Sequence, residues 1–196
     1  MKTFLIGLIL GLILFPLGAF LYFRTGTLPV AVIDKPFPME EAVVHVPMHA
    51  RIDKEAPKAS PIEPSATNLE AGALIYRQQC ASCHGLYGRP SAFASNMYPR
   101  APQLWAPHRE GVVGVSDDPP GETYWKVANG IRLTEMPSYT KILNETQMWQ
   151  VTLLLANAAK PLPPQVMESL KRPLESDMPP PAAGAVLPAS PPPVSQ

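Results

Sequence analysis

The chain has 196 residues, with 16 Lys plus Arg against 16 Asp plus Glu, and 26 prolines. That length suits one ordinary domain with extensions or two small ones, and the balanced charge lacks the clustered basic surface that nucleic-acid binding requires. Only two cysteines are present, which excludes a multi-disulfide framework and a four-cysteine zinc site.

The first element is apolar. From Phe4 to Phe23 the sequence FLIGLILGLILFPLGAFLYF carries no charge over twenty positions. At about 1.5 Å per residue such a helix crosses a hydrocarbon core of about 30 Å. A cleaved signal peptide is the competing reading, but its apolar core would be shorter and would precede a small-x-small cleavage site. Here the run continues to Phe23 and stops at Arg24, so residues 1–24 are expected to be an uncleaved transmembrane anchor. Lys2 on one side and Arg24 on the other leave no excess from which to orient it.

Residues 25–64 show no sustained helical or strand period and contain seven prolines, from Pro29 to Pro64. They are expected to form an extended tether, with a reach of roughly 35 Å if flexible and about 120 Å if polyproline-like. Phe37, Val43, Val44 and Val46 give it apolar contacts to offer a partner protein. Seven more prolines lie between Pro179 and Pro193, and residues 161–196 read as a low-complexity, disordered tail. The globular unit is therefore expected over residues 65–160, where eight Lys/Arg face seven Asp/Glu.

Within that unit, Thr67-Asn68-Leu69-Glu70 has the form of a capping box and predicts a helix start. Leu69, Gly72 with Ala73, and Tyr76 follow at helical spacing and lead into Cys80-Ala81-Ser82-Cys83-His84. Cys-x-x-Cys-His is the attachment sequence for c-type haem. Two thiols at this spacing add across both vinyl groups of one porphyrin, and the adjoining imidazole coordinates the iron. A thioredoxin-type dithiol would want a βαβ context, and a zinc site would need two further ligands. Further along, Glu122–Asn129 is expected to be a short helix ended by Gly130. Asn144 and Gln147 form a second capping box, with Leu143 and Met148 as its hydrophobic staple. Met148, Val151, Leu155 and Ala159 then make an apolar stripe, widened by Trp149, Leu153 and Ala156, until Pro161 closes the helix.

These elements resemble the class I c-type cytochromes, all-α domains in which an N-terminal helix leading to Cys-x-x-Cys-His crosses a C-terminal helix around one haem. Gly72 to Tyr76 is similar to the family's glycine and aromatic residue at that crossing, where Trp149 and Leu153 would face them. The resemblance covers about half of the chain. It implies one covalent haem c, held by Cys80 and Cys83, with His84 as one axial iron ligand. Met136-Pro137, following Asn129-Gly130-Ile131-Arg132-Leu133-Thr134-Glu135, is similar to the family's glycine-to-Met-Pro segment and implies Met136 as the second. His108 is the competing ligand, His45 and His49 in the tether are weaker ones, and Met97 fits a loop better. Pro99 to Leu104 resembles the segment whose proline carbonyl accepts the Nδ1 hydrogen of the axial histidine, with Pro102 preferred to Pro99. Trp125, as pocket lining or a propionate donor, and Arg132 or Arg100, as propionate partners, complete the expected pocket.

Two strong axial ligands leave no open iron position, so substrate chemistry and a small-molecule substrate are not expected. The resemblance implies an electron-transfer protein, not an enzyme, cycling between Fe(II) and Fe(III) with a redox donor and acceptor at the membrane. Because haem attachment in bacterial c-type cytochromes occurs outside the cytoplasmic membrane, it also implies a single-pass protein of the bacterial inner membrane with the haem domain on the periplasmic or outer face. The leading expectation is a membrane-anchored monohaem cytochrome of a respiratory chain. A fixed haem subunit of a larger membrane oxidoreductase and a haem-based redox or gas sensor are the alternatives.

Overall fold

The computed structural model describes residues 2–108 and 111–174. Among the described residues seven α-helices appear in chain order: α1 (Lys2–Phe23), α2 (Glu40–Glu55), α3 (Ala66–Gln79), α4 (Ala81–His84), α5 (Pro120–Asn129), α6 (Glu145–Ala156) and α7 (Pro164–Lys171). A 3₁₀ turn at Phe93–Asn96 follows α4, and the described residues contain no strand, only the isolated bridges Leu86 to Arg89 and His108 to Val112. The fold is all-α, as expected. The segment that would carry the end of the Pro-rich tail, residues 175–196, lies outside the described residues.

Helix α1 has a mean hydropathy of 2.6 and no buried residue, and is long and apolar enough to cross a membrane. Pro16 sits inside it.

The core is the crossing of α3 and α6. Ser65 caps α3 by accepting a hydrogen bond from the Asn68 amide, so the helix starts one residue before Thr67, not after it. Two hydroxyl residues two positions apart competed for the cap, and the earlier one takes it. Gly72 is fully enclosed at the crossing, where a Cβ would run into the Gln150 carbonyl and come within 3.2 Å of Leu154 Cβ. The residues opposite this glycine are thus Gln150 and Leu154, one position on from the expected Trp149 and Leu153. Trp149 instead stacks on Tyr124 of α5, with centroids 4.3 Å apart. The expected capping box opens α6: Asn144 Oδ1 accepts from the Gln147 amide, and Gln147 Oε1 accepts from the Asn144 amide, each at 2.9 Å. Leu143 and Met148 are both buried beside it. The helix ends at Ala156, before Pro161, because the Asn157 side chain turns back onto the Leu153 carbonyl.

Both expected extensions contain ordered helices. In the tether, α2 runs sixteen residues with Pro47 inside it and docks on α5. Ile52 is 2% exposed, the Pro57 carbonyl packs where a Cβ on Gly121 would be, and Trp125 Nε1 donates to Glu55 Oε2 at 3.0 Å. In the tail, α7 lays Val166 and Leu170 into the core against α3. The Arg77 guanidinium joins the two helices by donating to the carbonyls of Ser169, Arg172 and Pro173. Pro164 occupies the first turn of α7, where a missing N–H costs nothing.

Candidate functional site

The Cys-x-x-Cys-His motif sits at the end of α3. Cys80 terminates that helix with its amide bonded to the Tyr76 carbonyl, and Ala81–His84 form one further turn. The two cysteines are not bonded to each other. Burial, and then the neighbouring Cys83, push the Cys80 thiol up to about 12, so it is held protonated in an apolar setting.

His84 is fixed from behind. Its Nδ1 lies 2.8 Å from the Pro102 carbonyl, and since a carbonyl only accepts, Nδ1 carries the hydrogen. The lone pair is then on Nε2, the nitrogen left free for a metal. Burial holds the ring pKa below its ordinary 6.5, outweighing the opposing effect of the Pro102 bond, and so favours the neutral, ligating form. The carbonyl that receives this hydrogen is Pro102's and not Pro99's. The Leu104 amide also donates to the His84 carbonyl at 3.2 Å, and Gln103 Nε2 donates to the carbonyls of Cys83 and Ala101. The segment 101–104 thus laces the motif from one side. Tyr76, wholly buried, closes the other by donating its hydroxyl to the Gly85 carbonyl at 2.7 Å.

Met136 lies on the loop between α5 and α6, half-buried and packed against the core cluster that includes Ala81 and Tyr139. The loop is a sequence of tight turns. The Ile131 amide donates to the Met136 carbonyl, the Thr134 hydroxyl donates to the Ile131 carbonyl, and the Met136 amide donates to the Thr134 hydroxyl. Gly130 enters it at φ +69°, and a Cβ there would stand 2.8 Å from the Met136 carbonyl oxygen and 2.7 Å from Ser138 N. Ser138 and Tyr139 tie the far end to α5 through the carbonyls of Ala128 and Val127. The Tyr139 hydroxyl reaches Gln79, the residue before the motif. Burial is the main cause that raises the Tyr139 phenol to about 12.

The remaining expected residues fall in different places. Trp125 is buried, but its indole N–H is engaged by Glu55, so in this arrangement it does not present a donor to a propionate. That correction follows from α2 being docked, which the reading of residues 25–64 as an extended tether did not allow. Arg132 and Arg100 are exposed. His108 is exposed and takes part only through its backbone, pairing with Val112. His45 and His49 stand on α2, and Met97 follows the 3₁₀ turn.

One residue was missed from sequence. Trp105 is 4% exposed and meets Tyr76 edge-on with centroids 5.8 Å apart; its buried Nε1 makes no hydrogen bond of good geometry, the Tyr76 hydroxyl being the polar group beside it. It is adjacent to Leu104, whose amide holds the His84 carbonyl. A buried indole N–H with only a poorly aligned partner is the kind of donor that an anionic group bound in the domain would satisfy. Together with two thiols, a neutral imidazole with Nε2 free and a half-buried thioether, it makes a donor set that fits a haem with its carboxylates.

Residues 67–154 match the family model described as cytochrome c oxidase, cbb3-type, subunit III. A solved structure titled Kuenenia stuttgartiensis reducing HAO-like protein complex Kustc0457/Kustc0458 is similar over 52% of this chain and 48% of that one, at 23% identity and a TM-score of 0.42. The chain thus spans about half the length of that structure. No curated protein matches the sequence.

Proposed function

We propose that this protein, whose residues 67–154 match a cytochrome c oxidase cbb3-type subunit III family model, carries single electrons between redox proteins as a membrane-anchored monohaem cytochrome c. When bound, the haem supplies a one-electron Fe(III)/Fe(II) couple. Cys80 and Cys83 attach it through thioethers, His84 Nε2 and the Met136 sulfur hold the iron, and Trp105 is added as a donor to a carboxylate. The observation that carries this reading is the His84 Nδ1 to Pro102 carbonyl bond, which orients the imidazole and fixes its tautomer before any metal arrives. Met136 is supported by its half-buried loop, which Tyr139 ties to Gln79, the residue before the motif. A neutral thioether favours the ferrous state, so His84/Met136 ligation implies a raised potential.

In this reading α1 is an uncleaved single-pass anchor in the bacterial inner membrane, with the haem domain on the periplasmic or outer face. A second reading, a fixed haem subunit of a larger membrane oxidoreductase, is supported by one observation. The docking of α2 on α5 leaves residues 24–39, not the whole of 25–64, as the length between anchor and domain without a helix. For a flexible segment of that length the mean reach is roughly 22 Å, which suits a stationary partner.

The experiment is spectroscopic. The purified protein should contain one covalently attached haem c, and its ferric form should show the far-red methionine-to-iron charge-transfer band. Met136→Ala should abolish the band and lower the potential; an unchanged spectrum would remove Met136 from the site. Mild detergent extraction separates the two readings, because co-purification with partners in fixed stoichiometry excludes a free shuttle.

A further inference from the structure

We infer that His45 and His49 on α2 form a two-imidazole chelate for a divalent transition-metal ion such as zinc, separate from the Cys80–His84 site. The two are spaced i and i+4, the register that puts neighbouring side chains one above the other on a helix. Both are exposed, and their rings already meet edge-on with centroids 5.8 Å apart. A zinc–nitrogen bond of about 2.1 Å sets each ring centroid about 3.2 Å from the ion, so two rings on one tetrahedral zinc have centroids about 5.2 Å apart. The observed spacing differs from that by less than a side-chain rotation.

Three features favour a site over an incidental pair. The helix that carries the histidines is held by Ile52 and by the Glu55 to Trp125 bond, which fixes its backbone. His45 lines a cavity of about 500 Å³ with Glu41 and Tyr98, which leaves room for an ion and its waters. Glu41 and Asp53 continue the same i, i+4 row on either side, adding carboxylates that favour a cation. Among the described residues no group of three or more His, Cys, Asp or Glu is arranged to hold a metal. The chelate is therefore bidentate, with waters completing the shell. Because the spacing exists only while α2 is helical, zinc bound there stabilises that helix by mass action.

The test is calorimetric titration of zinc chloride into the full-length, haem-loaded protein in detergent, with His45→Ala, His49→Ala, their double variant and His108→Ala. The expected result is one zinc per chain, at least tenfold weaker binding in each single α2 variant and unchanged binding in His108→Ala. Zinc should also slow amide exchange across Glu40–Glu55 in the wild type and not in the double variant. Wild-type affinity retained by the double variant, no saturable uptake by the wild type, or dependence on His108 would each overturn the assignment.

Discussion

The Tyr139 hydroxyl donates to the Gln79 carbonyl at 2.8 Å, joining the Met136 loop to the last residue of α3 across sixty positions of sequence. That bond links the two halves of the proposed ligand set, since Gln79 precedes Cys80 and Tyr139 lies three residues after Met136. Tyr139→Phe removes it while keeping the ring. A net cost of about 1 kcal/mol is expected for one such bond, more if the carbonyl is left dry. Urea denaturation should show that loss, and the methionine charge-transfer band should weaken at a lower temperature than in the wild type. Retention of the wild-type thermal profile of the band would mean that the bond does not position Met136.

Gly130 makes the same loop possible in a different way. Its φ of +69° is in the left-handed region, and a Cβ would press on Met136, Pro137 and Ser138 backbone atoms. Strain of this kind costs on the order of 1–3 kcal/mol. Gly130→Ala should therefore displace the loop and reduce the charge-transfer band, with far-UV dichroism almost unchanged because α3 and α6 do not depend on it. A full-strength band in this variant would show that the loop does not position Met136.

At the α3–α6 crossing the expectation is global instead of local. Gly72→Ala places a methyl group against the Gln150 backbone carbonyl, which cannot rotate away as a side chain would. Overpacking of this sort costs about 1–3 kcal/mol, and backbone contact puts it toward the upper end. The midpoint of denaturation should fall with little change in the slope. Equal stability would imply that the two helices separate freely.

How much of this was legible in sequence depends on how far apart the partners lie. The α6 capping box is three residues wide, so Asn144 and Gln147 disclosed it. The motif and its Met-Pro loop carry their own local signatures, and in the structure Tyr139 ties that loop to Gln79, the residue before the motif. Helix α2 had no such signal. Its apolar Val43, Val44 and Val46 are exposed, Pro47 interrupts the pattern, and its attachment is made by Ile52 and by the bond that Trp125, seventy positions later, donates to Glu55. Periodicity cannot report a helix held by one buried residue and one distant hydrogen bond. Trp105 was passed over for a related reason, because the burial of its indole N–H is visible only once its neighbours are placed.

The Glu55 contact makes the docking of α2 dependent on pH. Hydrogen bonds from Trp125 and then Arg51 hold the Glu55 carboxyl below its ordinary 4.5. A carboxylate with a depressed folded-state pKa contributes its stabilisation fully above the unfolded value and loses it as pH falls through the depressed one. The carboxyl is exposed, so the effect is confined to α2 and leaves the α3–α6 core in place. In the ferrous protein, the Trp125 indole N–H resonance should titrate with an apparent pKa below 4.5, and Glu55→Gln should abolish that titration. Spin labels on α2 and α5 should separate over the same interval. If the indole resonance does not move with pH in the wild type, Glu55 is not its partner, and the short-tether argument for a stationary partner loses its support.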